Sequence, residues 1–571
     1  MDKNILSSLL ALETSSILSL IVFFSLINPR FYYSKRVIFV CFFITLFWFV
    51  VTTYSIIKGE KKRNIISYFI SSLIYLLVIF YMIRTVWFCS YLTLFPEYDF
   101  FNSQIHSDTF YLSGLCESIK NFGYPANLTQ GLVFHKYHYL SIVLLAGISK
   151  ICSLPCFITY NFIYPIVFFP VFTFLFFQVI GVIRELLNKD TTISISDVVF
   201  SLFIIIGFLP YQFLNSLGIW WHDIFISESF CVSSILFFVY VFIINKTKKV
   251  KHRIINYLIT FFFLFIITAA KISDGIMFFI IMSWIIIRKR GFNLLTIFSI
   301  IVGFILLLFS LSLFIRDSQN IGNRVVTWFH FATTYVEPEY TIRHFFFILF
   351  PALLLFVLSG GFPTYKSHGR TNNVILSEAA LLITFCSILP GILFEIEGGS
   401  AVFFVIRAMF ISLFFLLCFS VLQNNIEKIN KGEKVLIALL LLVVYGESFF
   451  NYNYYHGSIL IKVTPKYMVE QYQIKKHGNN EAQNNSFYKT LTKINKKTKG
   501  KKDQYCLFVT DNCNIFKLYK GNNYFIGSNG LLAITAYLGM PVIKTFEEAN
   551  EKQIEKIIVL EKNTYKIISS K

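Results

Sequence analysis

Long apolar runs recur along the chain from near its N-terminus to about residue 448. A helix needs about 20 apolar residues to cross a bilayer, and about thirteen runs approach that length, several of them short. They lie near 5–28, 36–57, 65–89, 157–183, 198–216, 229–245, 254–270, 274–287, 293–315, 345–359, 374–393, 402–422 and 435–448. The pattern predicts a mainly α fold, a polytopic membrane helix bundle over residues 1–448. The first run lacks a small-residue cleavage site, so we expect an anchor and not a cleaved signal.

A polar stretch from Phe95 to Tyr139 interrupts this pattern and predicts a first large outer loop at 90–138. Loops between rigid spans often carry the functional groups of a protein. Residues 139–152 are apolar but too short to span, and they predict an interfacial or partly inserted helix.

The composition changes sharply after residue 448. Residues 449–571 contain 19 lysines, no arginine and nine acidic residues, a net charge of +10 out of +20 for the whole chain. This predicts a basic, water-soluble second domain, a small α/β unit with strands near 505–510, 524–526 and 557–560 and a helix near 546–555. Its charge could hold a phosphate-bearing lipid or an anionic glycan, or simply form a solvated surface. Cys506 and Cys513 are close enough in sequence to permit a disulfide.

Composition and loop charge agree with a membrane protein. With 56% apolar and 14% charged residues and a mean hydropathy of +0.65, a soluble fold is excluded. Basic residues accumulate in cytoplasmic loops, and alternating spans bring five basic clusters to one side. They are Lys58/Lys61/Lys62/Arg63, Lys246/Lys248/Lys249/Lys251/Arg253, Arg288/Lys289/Arg290, Lys366/Arg370 and Lys428/Lys431/Lys434. We therefore expect a cytoplasmic N-terminus and an extracytoplasmic C-terminal domain, with Arg30, Lys35 and Arg36 as an exception to the rule.

Asp108 is the candidate catalytic residue of the outer loop. The residues after it repeat apolar positions at Leu112, Leu115 and Ile119, which predicts a helix with one apolar face. An aspartate over that face, at a bilayer surface, could be the general base for an acceptor hydroxyl or amine. The alternative is that Ser107 or Asp108 merely caps the helix. Glu117 is half a turn out of phase with Asp108, so we expect it to be solvated.

Further candidates for substrate binding lie in the outer loops. His135 and His138 could face one pocket beside Tyr139, and His106 or Asp108 could complete a site for a divalent metal. No residue is assigned as a metal ligand, because histidine and tyrosine also serve as interfacial anchors. Trp221 and His222 offer a stacking surface for a sugar ring.

Basic residues near the outer face could hold a phosphate. Arg407 lies within a predicted span, where a charge is costly unless it faces a cavity. It could neutralise a lipid phosphate, or it could pair with Glu13 or Glu395 as a structural bridge. Lys271, in a tight outer turn, is a second phosphate candidate, and Arg324 and Arg343 in the loop 316–344 are further ones.

Two segments carry a resemblance to a known superfamily: HSDTFYLSGLCESIKNFGYP and HKYHYLSIVLLAGISKICSLP. They resemble the GT-C superfamily of membrane glycosyltransferases, which includes the family 39 protein mannosyltransferases and related bacterial lipid-sugar transferases. The resemblance implies that Asp108 is the acidic residue near the acceptor. It also implies a polyprenyl-phosphate-linked sugar as donor, so that no nucleotide-binding loop is needed. Two features depart from the family: a lone aspartate replaces an acidic pair, and the loop follows the third predicted span instead of the first.

We therefore expect a glycosyltransferase of the bacterial inner membrane. It would move a sugar from the polyprenyl-phosphate donor to an envelope glycan, lipid or protein acceptor on the outer face. Membrane lipids are expected partners, and nucleic acid is not. One alternative is a glycan polymerase or ligase of the O-antigen type. Another is a non-enzymatic lipid or glycan transporter, although no internal repeat is visible.

Overall fold

Helices account for most of the residues that the computed structural model describes. The described residues are 92, 99–100, 105, 107–135, 139–152, 154–186, 228–247, 253–314, 326–328, parts of 374–396, parts of 470–478, 485–514, 529–551 and 554–570. The chain divides into two compact units, residues 1–83 with 168–457 and residues 84–167 with 458–571. In this division the predicted outer loop belongs to the same unit as the C-terminal region. We call 84–167 with 458–571 the loop–tail unit.

The helices and strands are numbered in chain order. The helices are α1 (Ser107–Phe122), α2 (Leu140–Cys152), α3 (Cys156–Ile158), α4 (Tyr164–Leu186), α5 (Glu228–Thr247), α6 (Arg253–Ala270), α7 (Ile272–Arg290), α8 (Leu294–Phe314), α9 (Ser486–Lys497), α10 (Asn529–Leu538) and α11 (Glu547–Glu551). The strands are β1 (Ala126–Asn127), β2 (Val133–Phe134), β3 (Val326–Trp328), β4 (Phe394–Ile396), β5 (Tyr505–Val509), β6 (Lys556–Glu561) and β7 (Thr564–Ser569).

Membrane-length helices occur in the described part of the chain. Residues Glu228–Asn245 of α5 and the whole of α8 are long and apolar enough to cross a bilayer. The apolar part of α6, Ile254–Ala270, is shorter. Helices α5 to α8 match the runs predicted at 229–245, 254–270, 274–287 and 293–315. These residues are helical as predicted, and two of the helices are long and apolar enough to cross a membrane. The bundle of about thirteen spans stays a prediction.

Helices α6 and α7 form a hairpin that packs very closely. A Cβ atom added at Gly275 would lie 2.0 Å from Thr268 Oγ1 and 2.8 Å from Thr268 Cα, so the two backbones approach at a distance that excludes a side chain. Aromatic rings fill the space beside this contact, with the Tyr240 and Phe278 centroids 4.9 Å apart. Helix α7 ends at Arg290, and the next residue, Gly291, has φ +72° and donates its N–H to Ile287 O at 2.7 Å. The positive φ is the usual reason for a glycine after a helix.

In the loop–tail unit, an aromatic cluster joins segments that are far apart in sequence. The Phe100 ring lies 5.8 Å from Phe110, 6.5 Å from Phe157 and 6.0 Å from Tyr537, measured between centroids. Phe110 and Phe157 are stacked at 5.7 Å. The cluster combines Phe100 and Phe110 of the predicted outer loop and Phe157 of α3 with Tyr537 of α10. This packing makes the loop and the tail one hydrophobic core.

The tail contains the predicted small α/β arrangement. Strands β5, β6 and β7 form a sheet in which β5 and β6 are parallel and β6 and β7 antiparallel. The strands predicted at 505–510 and 557–560 are confirmed, and the one at 524–526 lies outside the described residues. The helix predicted at 546–555 is shorter, Glu547–Glu551. The disulfide considered above is not formed: Cys506 and Cys513 are both buried, and neither is disulfide-bonded.

Candidate functional site

Asp108 lies in the first turn of α1, with an exposed side chain. The helix begins at Ser107, one residue before it, so Asp108 is inside the helix and is not its N-cap. An acidic side chain in a first turn interacts favourably with the free N–H groups there. The Asp108 side chain is therefore exposed to solvent in the first turn of α1.

Tyr111 and His135 are joined beside Asp108. The Tyr111 hydroxyl shares a hydrogen bond with His135 Nε2, and the two rings meet edge to face with centroids 5.7 Å apart. Tyr111 is three residues after Asp108, and residues at this spacing lie on one side of a helix with Cβ atoms about 5–6 Å apart. The structure places His135, predicted from sequence, against Tyr111, and helical spacing places Asp108 on the same side of α1.

A short hairpin after α1 positions His135. Strands β1 and β2 pair Ala126 with Phe134 and Asn127 with Val133. His135 follows β2 directly, and its backbone N–H donates to Pro125 O at 2.9 Å. A hydrogen bond connects the hairpin to α1, in which Ser118 Oγ accepts the N–H of Ala126 at 2.9 Å. His135 is consequently buried, with 8% of its surface exposed.

The same unit exposes apolar side chains. Val133 and Phe134 of the hairpin are about half exposed, and Val143, Leu144 and Ile151 of α2 are exposed as well. The opposite side of α2, with Ile142, Leu145 and Ala146, is buried. Exposed apolar groups of this kind suit a lipid surface. The interfacial placement of α2 remains a prediction. Together with Cys156–Ile163, from which it is bent by 115°, α2 also has the composition of a broken or re-entrant span.

Glu117 is fully buried, and the expectation that it is solvated is wrong. Its Oε1 accepts the N–H of Cys156 at 2.7 Å and lies 3.6 Å from Lys120 Nζ. Its Oε2 accepts from Asn121 Nδ2 at 3.0 Å and lies 3.7 Å from Lys502 Nζ. The periodicity of α1 could not reveal this, because the partner that covers Glu117 comes from the distant tail.

Asn121 extends this contact to the backbone of the tail. Its Nδ2 also donates to Gly539 O at 3.0 Å. Gly539 has φ +67°, and a Cβ atom there would lie 2.6 Å from Glu117 Oε2. Both the backbone conformation and the close approach therefore require glycine at this position. Close by, Val542 N–H donates to Leu128 O at 2.7 Å.

The charges around Glu117 decide its ionisation. Burial alone would raise the pKa of this carboxyl, but the two lysines and the hydrogen bonds from Cys156 and Asn121 more than compensate, so the pKa is lowered. Burial also lowers the pKa of Lys502, against the attraction of Glu117. A buried carboxylate with this many donors is stable as an anion.

Lys271, a predicted phosphate ligand, is mostly buried where α7 begins. Its Nζ lies 4.5 Å from the centroid of the Phe230 ring, a cation–π contact. In the same region Ser233 Oγ donates to the Asp274 carboxylate. Lys271 therefore lies in the interior where α7 begins, with 7% of its surface exposed. Its role toward a phosphate remains a prediction.

Of the remaining predicted residues, Tyr139 is the one that lies among the described residues. Tyr139 is half-buried at the start of α2. The others lie outside the described residues: His106, His138, Trp221, His222, Arg324, Arg343 and Arg407. Within the described part of the chain, no group of three or more His, Cys, Asp or Glu side chains could hold a metal ion.

Two residues of this region escaped the sequence analysis. Tyr111 carried a usable signal, since it lies one turn after Asp108 on the same predicted helix. Lys502 carried none, because it is one of 19 lysines in the tail. Comparison of the chain with known proteins finds no matching family model, no similar curated protein and no similar solved structure.

Proposed function

We propose that the protein is a polytopic membrane glycosyltransferase that uses a polyprenyl-phosphate-linked sugar. The observation that carries the proposal is the accessible Asp108 carboxylate one helical turn before the Tyr111–His135 pair. A carboxylate on the same side of a helix as a phenol and an imidazole is suited to bind and deprotonate an acceptor hydroxyl. The resemblance of the segments around Asp108 and His135 to GT-C enzymes supports the same reading.

The surroundings of the site fit a lipid-borne substrate. Membrane-length helices occur in the same chain, and the hairpin next to His135 exposes Val133 and Phe134. A donor with a polyprenyl tail would remain in the bilayer while its sugar phosphate reached the aqueous boundary. In this proposal the bundle has about thirteen spans, the loop–tail unit faces the extracytoplasmic side of a bacterial inner membrane, and Lys271 or Arg407 holds the donor phosphate.

In the proposed reaction, an acceptor hydroxyl attacks the anomeric carbon of the sugar. The bond from that carbon to the donor phosphate oxygen breaks, and the polyprenyl phosphate leaves with the bonding electrons. Asp108 takes the hydroxyl proton, so that the new glycosidic bond forms without an alkoxide in solution. Tyr111 and His135 would hydrogen-bond the acceptor hydroxyl on the same side of α1.

The test is sugar transfer in membranes that contain the full-length protein, with radiolabelled polyprenyl-phosphate hexose and pentose as donors. Asp108→Asn should lower transfer about 10²–10⁴-fold, the usual cost of losing a general base. Tyr111→Phe should lower it less. The matched control is Asp511→Asn, which removes an exposed aspartate from the turn after β5 and should leave transfer unchanged.

Different outcomes would contradict different parts of the proposal. An active Asp108→Asn protein would remove Asp108 from the mechanism, because asparagine preserves the helix start but cannot accept the proton. Movement of the intact donor across the membrane of vesicles, without transfer of its sugar, would favour the transporter alternative. Extension of a lipid-linked glycan by several repeat units would favour the polymerase.

A further inference from the structure

The C-terminal segment contacts α1, the helix that carries Asp108, at a buried ionic cluster. The cluster consists of Glu117, Lys120 and Asn121 of α1, Lys502, and the carbonyl of Gly539. The Glu117 side chain is completely buried, and that of Lys502 is 13% exposed. Charges in such a place must be paired, because neither water nor salt can neutralise them.

The contact is specific in shape as well as in charge. Gly114 of α1 lies against Thr535 of α10, where an added Cβ atom would be 3.8 Å from Thr535 Oγ1. Ala533 and Ala536 of α10 are completely buried. Small side chains on both helices allow close approach, and the Asn121–Gly539 hydrogen bond fixes the position along α1. The tail therefore covers the side of α1 on which the sequence pattern would place water.

We propose that the tail positions the candidate site. Lys502 and Glu117 act as positioning residues that hold α1, and thereby Asp108, in the productive orientation. This inference rests on the proposed function. Asp108 and Glu117 are nine residues apart, about 13 Å along a helix that rises about 1.5 Å per residue. A helix transmits a displacement over this distance, and an error of about 1 Å at a reacting group can cost about 10²-fold in rate.

The first experiment measures the order of α1 in the full-length protein by hydrogen–deuterium exchange. Lys502→Met removes the charge and keeps much of the aliphatic length. It should accelerate exchange in peptides from residues 107–122 and leave those from α8 unchanged. Lys501→Met is the matched control, since Lys501 is the exposed neighbour, and it should alter neither region. Lys502→Arg keeps the charge and should restore most of the protection.

The second experiment tests whether the tail stays bound to the loop. A site for a sequence-specific protease is introduced within residues 479–484 of the full-length chain, and the protein is cut in detergent. In the parent protein, the fragment that begins at the cut should remain bound to the N-terminal part during purification. With Lys502→Met it should be released at least 10-fold faster. Release from the parent protein at the same rate would overturn the proposal.

The third experiment compares sugar transfer. Lys502→Met should lower kcat at least 10-fold with a smaller change in KM for the donor, whereas Lys501→Met and Lys502→Arg should remain close to the parent. Loss of exchange protection with unchanged transfer would overturn the positioning role. If the parent protein shows no transfer, the proposed function fails and the positioning role fails with it. The exchange and release experiments would then still show whether the tail holds α1.

Discussion

Glu117 shows how a single carboxylate can be ionised without water. Four groups surround it: a backbone N–H, a side-chain amide and two ammonium groups. Their combined effect lowers the pKa of Glu117 although burial acts in the opposite direction. Such a group links stability to pH, because it binds a proton more readily in the unfolded chain than in the folded one.

The direction of this pH dependence follows from the lowered pKa. The stabilisation from Glu117 is fully present above the ordinary glutamate pKa of 4.5 and is lost as the pH falls through the lower, folded-state value. The melting temperature of the parent protein should therefore fall between about pH 5 and pH 3 more steeply than that of Glu117→Gln. Fluorescence-detected melting in detergent measures this.

The control for the pH series is Glu551→Gln, which removes an exposed carboxylate from α11. It should follow the steep acid dependence of the parent protein. If Glu117→Gln showed the same steepness, the lowered pKa assigned to Glu117 would be incorrect.

Among the helices, the contact between α6 and α7 depends on Gly275. Since a Cβ atom at this position would overlap the Thr268 side chain and come within 2.8 Å of its Cα, Gly275→Ala must push the helices apart. Overpacking of a close contact costs about 1–3 kcal/mol. We expect this loss in the free energy of unfolding, measured by denaturant titration in bicelles.

Gly147→Ala is a suitable comparison for Gly275→Ala. Gly147 lies in the middle of α2, and nothing is within 4 Å of a Cβ added there. Alanine is favoured over glycine by about 0.5–1 kcal/mol inside a helix, so this change should be neutral or stabilising. Equal effects at both positions would show that the close approach of α6 and α7 is not what Gly275 provides.

At the level of the whole molecule, the loop–tail unit constrains membrane topology. The described residues of α1 and the β1–β2 hairpin belong to the same compact unit as those of 485–570, so we expect them on the same side of the membrane. Cysteines introduced at the exposed positions Gln130 and Lys489 should both react with an impermeant maleimide added to that side. The five basic clusters predict that this side is extracytoplasmic.

Reporter fusions decide which side it is. A reporter that is active only outside the cytoplasm should be active after Lys571 and inactive after Arg290. Labelling of Gln130→Cys and Lys489→Cys from opposite sides would contradict the shared core. An inactive reporter after Lys571 would instead reverse the predicted orientation and the proposed outer site.

Local sequence was sufficient to predict the positions of several helices and strands of this protein. Helices α5 to α8 coincide with predicted apolar runs, α2 begins within one residue of its predicted start, and strands β5 and β6 lie where they were expected. These elements were predictable because hydropathy and periodicity are properties of neighbouring residues. Asp108 and His135 stood out in the same way, as polar residues in an apolar chain.

Tertiary structure alone determined how those elements combine. Residues 84–167 join 458–571 in one unit, Tyr111 reaches His135, and Lys502 covers Glu117. The helical pattern of α1 assigned Glu117 to solvent because periodicity records which residues share a side and not what packs against each side. The segment that removes Glu117 from water is distant in sequence, so its effect arises only when the chain is folded.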